Sequence, residues 1–191
     1  MDIHQPEVLA AEYPARLRER LGTNAPPKLT ALGDLDLLSL PKTALFCSAR
    51  CPGDAILCTY DQAAKWRDEG RCIISGFHSP VEKECLSILL RGQQPIIICP
   101  ARSLDKFRLT AAWKPALAAD RLLVLSCVSD GLHRATLQTA HRRNELVAAL
   151  ADEIWFAHIS PGGWTEKIVE RVKMWRIPFH SPIEAGKGIN P

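Results

Sequence analysis

The sequence predicts an α/β fold, a parallel sheet with helices on both faces. Three observations carry this. Short apolar runs without polar alternation recur along the chain, as in strands buried on both sides. Between them lie stretches with apolar residues at helical spacing. Glycines and prolines mark the joints. The length of 191 residues suits one domain, at roughly 150 residues per domain. A composition of 47% hydrophobic and 24% charged residues excludes a disordered chain.

The elements follow in order. Glu7 to Leu21 reads as a helix, with Val8, Leu9, Ala11 and Leu17 as its apolar members. Leu29, Leu32, Leu35 and Leu37-Leu38 lead into the main domain. Six short apolar runs are the strands: 43–48, 71–75, 95–99, 121–126, 153–159 and 177–180. Gly53 to Glu69 places Ile56, Leu57, Tyr60, Ala63 and Ala64 on one helical stripe, and Gly70 closes it. Val81 to Leu90, Ala135 to Ala151 and Glu166 to Trp175 supply the other helices. Residues 1–42 form an N-terminal helix and lead-in, 43–180 the main domain and 181–191 a flexible tail. Alternation of this kind predicts a doubly wound, Rossmann-like sheet, whose ligand belongs at the carboxyl ends of the strands.

That rule selects the residues just after each strand. Ser48-Ala49-Arg50 follows the first, a small-residue loop entering a helix N-terminus, with Arg50 able to grip a phosphate. Ser75-Gly76 ends the second, where Gly76 permits close approach of a ligand. Ser79-Pro80 reads as an N-cap followed by a first-turn proline, with Glu82 favoured by the helix dipole. After the fifth strand, Pro161-Gly162-Gly163-Trp164-Thr165-Glu166 can wrap an oxygen cluster, with Thr165 capping the helix. On the helix after the fourth strand, Leu137, Ala140, Asn144, Val147 and Ala151 define a stripe that turns Asn144 toward the sheet. Arg142 and Arg143 flank it, pointing to solvent or phosphate.

Other chemistry is excluded or unsupported. A net charge of +3 rules out a polycation but not a local basic groove. No G-x-G-x-x-G, no G-x-S-x-G and no zinc-like His/Cys spacing occurs, so neither cofactor nor metal is expected. No apolar run reaches the roughly 18 residues of a membrane helix. Asp2, Glu7 and Glu12 are unlike a secretory signal. The seven cysteines show no C-x-x-C pair and read as small hydrophobes in a reducing cytoplasm.

This ordered set of motifs resembles the DNA-processing protein A family (DprA, also called Smf), in the wider group that includes the LOG phosphoribohydrolases. The likeness covers nearly the whole chain. Tyr13-Pro14 with Pro26-Pro27 and Gly33 resembles the family's lead-in. Ala44 to Arg50 resembles its first strand ending in Gly-Ser-Arg, Ile73 to Gly76 its strand ending in Ser-Gly, and Arg143-Asn144 through Asp152 its Arg-Asn-Arg helix. The resemblance implies binding of single-stranded DNA and loading of a recombinase; a homo-oligomer is expected separately, because a parallel sheet with a short last strand can pair at its edge. It places Arg50, Ser75, Gly76, Arg143 and Asn144 around a phosphate pocket. The departures are Ser48 for a glycine, Ser79 for an arginine, Pro80 for a glycine, Leu86 for a histidine and Glu145 for the second arginine. The chain ends at Pro191, with no room for the family's C-terminal winged-helix-like module.

The Pro161–Glu166 segment also resembles the phosphate loop of LOG enzymes, shortened by one glycine. Two functions follow. The first is a protein that grips single-stranded DNA by its backbone, in DNA processing or recombination. The alternative is a nucleotide-binding sensor or a LOG-like nucleoside-monophosphate phosphoribohydrolase, with Glu166 as its carboxylate. Binding is expected ahead of catalysis.

Overall fold

The structure is a computed structural model and describes residues 7–9 and 13–182. Its strands are β1 (Glu7–Leu9), β2 (Leu29–Gly33), β3 (Lys42–Cys47), β4 (Cys72–Ser75), β5 (Ile96–Ile98), β6 (Leu122–Ser126), β7 (Glu153–His158) and β8 (Phe179–His180). Its helices are α1 (Ala15–Leu21), α2 (Gly53–Asp68), α3 (Pro80–Leu90), α4 (Lys114–Ala118), α5 (Leu137–Leu150) and α6 (Trp164–Met174).

One sheet holds all the strands in the order β1-β2-β6-β5-β4-β3-β7-β8. From β6 to β8 every neighbouring pair is parallel. The chain winds one way from β3 to β6, then resumes on the other side of β3 with β7 and β8. The order therefore reverses between β3 and β7, and the crevice at their carboxyl ends is the expected ligand position.

Alternate strand residues feed two cores, as a pleated sheet requires. Ala44, Phe46, Ile74, Ile97, Leu123 and Phe156 meet α1, α5 and α6 on one face. Leu45, Ile73, Ile96, Leu122 and Val124 meet α2, α3 and α4 on the other. The strands are buried on both sides, which is why they read as continuous apolar runs. Gly70 follows α2 with φ 72°, the left-handed conformation that ends a helix at glycine.

Four expectations need correction. The helix expected over Glu7–Leu21 begins only at Ala15; Glu7–Leu9 is a strand antiparallel to β2. Pro14 occupies the N-cap, and its ring prevents a helix from running through it. The sheet is also not wholly parallel, because β2 pairs antiparallel with β6. On α2 the buried face is Ala55, Thr59, Ala63 and Trp66, whereas Leu57 is 66% exposed. On α5 the face is rotated by one residue: Thr139, Arg143 and Leu146 are buried, and Leu137 is 80% exposed. Residues 183–191, most of the expected tail, lie outside the described residues.

Candidate functional site

The crevice between β3 and β7 is built by their two loops. Ser48 is buried directly after β3. Its N–H donates to the His158 carbonyl at 3.1 Å. Its hydroxyl accepts from the Ser160 N–H at 3.0 Å and donates to the Thr165 hydroxyl at 3.0 Å. Thr165 therefore does not cap α6, as its position suggested. Gly163 is the N-cap and gives no side-chain bond. Gly162 has φ 69° and donates its N–H to Glu166 at 2.8 Å, while the Gly163 N–H goes to the Ser160 carbonyl at 3.1 Å. The glycine loop is thus closed on its own carboxylate. Arg50, two residues beyond Ser48, is exposed.

The neighbouring strand end is held by a buried carboxylate. Ser79 and Glu82 form a reciprocal capping box at the start of α3, with Pro80 in the first turn. Glu82 is 6% exposed. One of its oxygens accepts from Cys47 N–H at 3.0 Å; the other accepts from His78 N–H at 2.8 Å and Ser79 N–H at 3.0 Å. One side chain therefore ties the end of β3 to the loop after β4. Ser75 adds a second tie, donating to the Leu45 carbonyl at 2.8 Å and accepting from Phe77 N–H at 3.1 Å. Phe77 carries φ 45°, unusual for a bulky residue. Its ring is buried in the second core, which holds the strained turn in place.

Arg143 lies beside this turn rather than in solvent. It is 6% exposed and donates to the Cys99 carbonyl at 3.2 Å. Its Nε is buried without a partner. A side chain at position 76 would overlap the guanidinium, so the glycine makes room for Arg143. Burial lowers the pKa of Arg143, opposed by the negative charge of Glu82. Arg142 is exposed and Asn144 half-buried.

The departures from the family pattern now have local causes. Ser79 is a cap, Pro80 starts a helix and Leu86 fills the second core. Glu145 pairs with Arg171 on α6 at 3.0 Å, linking two helices. Sequence reasoning missed a further feature. His141 stacks on Trp164 with ring centroids 3.6 Å apart, and Lys167 sits 5.4 Å over the same indole. His141 comes from α5 and Trp164 and Lys167 from α6, so no local spacing marks the histidine's contact.

Charge is distributed unevenly between the two ends of the sheet. On the carboxyl-end loops and the first two turns that follow them, Arg50, Arg102, Lys106, Arg108, Arg134 and Arg142 are exposed, alongside the acids Asp54, Asp105, Asp130 and Glu166. None of these cations forms an ion pair among the described residues. At the opposite end Arg16 and Lys42 share Asp152, and Arg71 and His180 share Glu153. A groove there of about 330 Å³ is lined by Thr43, Trp66, Arg71, Glu153 and His180, its charges already paired. Among the described residues no cluster of His, Cys, Asp and Glu is arranged to hold a metal, and no helix is long and apolar enough to cross a membrane.

The doubly wound, mostly parallel sheet with its switch point between β3 and β7 defines a Rossmann-like α/β protein. Residues 7–158 match the family model described as DNA recombination-mediator protein A, and the chain belongs to that family. No curated protein sequence matches it. Among solved structures it is similar to DNA processing protein A from Helicobacter pylori, described for its single-stranded DNA binding mode. That likeness has a TM-score of 0.75 and 22% identity over 93% of this chain and 80% of that one. DNA processing protein A from Streptococcus pneumoniae gives a TM-score of 0.73 and 20% identity over 94% of this chain. The chain spans 63% of the length of the S. pneumoniae protein. A molybdenum cofactor binding protein from Rippkaea orientalis shares the fold more distantly, with a TM-score of 0.52 and 13% identity.

Proposed function

We propose that this protein binds single-stranded DNA through its phosphate backbone, in DNA processing or recombination in the cytoplasm. The observation that carries the proposal is the row of exposed, unpaired cations along the carboxyl rim: Arg50, Arg102, Lys106, Arg108, Arg134 and Arg142. A small net charge is no obstacle, because many of the acids are already engaged: on the same rim Asp105 faces His133 and Glu166 holds the Gly162 N–H. Asp152 and Glu153 hold the cations of the far end, and Asp130 pairs with Lys28. Counterion release depends on the cations that phosphates meet and not on the total. Family membership and the single-stranded DNA binding described for the H. pylori protein support the same conclusion.

The mononucleotide alternative has less support. In the loop that would cradle its phosphate, the Gly162 N–H already donates to Glu166. The carboxylate a hydrolase would use is thereby committed to shaping its own loop.

Fluorescence anisotropy of a labelled oligonucleotide tests the proposal. With about five phosphates engaged, affinity should fall roughly 100-fold between 50 and 200 mM salt, from a slope of about −0.7 per phosphate on single strands. Arg50→Ala should weaken binding and make that slope shallower by about 0.7. Affinity that is flat across salt would overturn the proposal.

A further inference from the structure

The segment between β5 and α4 leaves the carboxyl edge of the sheet and carries no regular element from Ile98 to Lys114. Long ordered loops of this kind are commonly functional. Within it the Arg102 guanidinium lies 4.8 Å over the Phe107 ring. Phe107 in turn stacks on Trp113, with centroids 6.0 Å apart and planes at 25°. The two rings pack against the second core, whereas Arg102 is exposed. Trp113, Phe107 and Arg102 thus make a continuous series of contacts, a column whose two rings pack against the core and whose guanidinium is exposed.

The base of the column is rigid. The Arg102 carbonyl accepts from the buried Ser126 hydroxyl at 2.7 Å, and Ser103 N–H donates to the Leu132 carbonyl at 2.9 Å. Leu104 is 1% exposed and anchors the turn into Phe107. The nearby acid, Asp105, faces His133 at 3.4 Å and forms no ion pair with Arg102. Lys106, Arg108 and Arg134 are exposed on this loop and the one stitched to it. Strand β5 lies two places from β3 in the sheet, so this loop leaves the same carboxyl edge as the loops of the crevice.

We infer that the Trp113–Phe107–Arg102 column is a nucleobase-stacking platform for single-stranded DNA, with Lys106, Arg108 and Arg134 holding the adjoining phosphates. A guanidinium plane supported from below by an aromatic ring is a stacking surface that tolerates any base. It supplies what the cationic rim lacks, a contact that recognises unpaired bases. The inference rests on the proposed DNA-binding function and assigns it a second contact region.

The test compares two labelled oligonucleotides of equal length, one of thymidines and one of abasic units with the same phosphates. Wild type should prefer the thymidine strand by about 5- to 100-fold, the range for one stacked base. Arg102→Lys keeps the charge and removes the plane. It should lose most of that preference, weakening binding to the thymidine strand far more than to the abasic strand. The double variant Lys106→Ala/Arg108→Ala should weaken binding to both strands alike and reduce the salt slope by about 0.7 per contact. If Arg102→Lys keeps the wild-type preference, or weakens both strands equally, the platform is refuted and the backbone-binding function stands. If wild type binds neither strand, the function itself fails. Arg102→Gln, also planar-headed but uncharged, provides a second variant, and unchanged thermal unfolding confirms that both variants are folded.

Discussion

Replacing Glu82 separates its two oxygens, because each serves different donors. Cys47 N–H meets Oε1, and the N–H groups of His78 and Ser79 meet Oε2. In Glu82→Gln the amide oxygen can take the Oε2 position and keep two of these bonds, but its NH2 group then faces the Cys47 N–H. One buried donor is left unpaired, at a cost of about 1–3 kcal/mol. In Glu82→Leu all three donors lose their acceptor, and the cost rises to roughly 3–9 kcal/mol on the same basis. Against a total stability of about 5–15 kcal/mol, the glutamine variant should remain folded and the leucine variant should be close to unfolding. Urea denaturation followed by circular dichroism measures both. If both variants lie within about 1 kcal/mol of wild type, on a scale where a buried lost hydrogen bond costs at least that, the carboxylate does not hold the strand ends together. A leucine variant more stable than the glutamine variant would refute the reasoning as well.

Two further outcomes concern stability. Gly76→Ala should displace the Arg143 guanidinium from beside the turn, orphan the Cys99 carbonyl and cost about 2 kcal/mol or more. The double variant Gly76→Ala/Arg143→Met should recover part of that loss, and strict additivity in thermal melts would contradict the contact. Burial alone would raise the Asp152 pKa, but the Lys42 backbone N–H, Arg16 and the Lys42 ammonium together leave it lowered. A lowered folded-state pKa means stability that is full above the unfolded value of about 3.9 and lost as pH falls through the folded one. Asp152→Asn should therefore destabilise at pH 7 and flatten the acid limb of the stability curve; an unchanged limb would exclude this carboxylate as its source.

The strands of the parallel core were legible because burial on both faces leaves an unbroken apolar run, as in Arg121–Ser126. The edge pair β1 and β2 was not. Glu7–Leu9 is short, and its side-chain pattern fits a helix turn as well as a strand until Pro14 is weighed. The phase of α5 was misread for a physical reason: the run Leu146–Ala151 is buried all round, so it cannot fix a face, and exposed Leu137 pulled the stripe one residue away. That shift exchanged the roles of Arg143 and Asn144. Ser48, Gly162, Gly163 and Thr165 do converge at the switch point, and Arg50 and Arg142 stand on the rim. Ser75, Gly76 and Arg143 gather one strand away, around the turn after β4. The grip of Glu82 was half visible, since Ser79-Pro80 announces a cap. Its partners, though, are backbone N–H groups, which leave no mark on side-chain identity. The Arg102 column was invisible because its spacing follows no period of helix or strand.

Glu82 and Glu166 share one consequence for what this protein can recognise. Each is an anion already tethered to N–H groups at a strand end, the first to Cys47, His78 and Ser79, the second to Gly162. A dissolved phosphate seeking those donors competes with an intramolecular rival, whose effective concentration is in the millimolar range or above. A small metabolite with one or two phosphates starts at a disadvantage that it has little contact area to overcome. A polymer does not need those donors, because it can lie across the rim and add up many weak contacts. On the proposed function, tethered carboxylates of this kind would favour chains over the monomers of the cell.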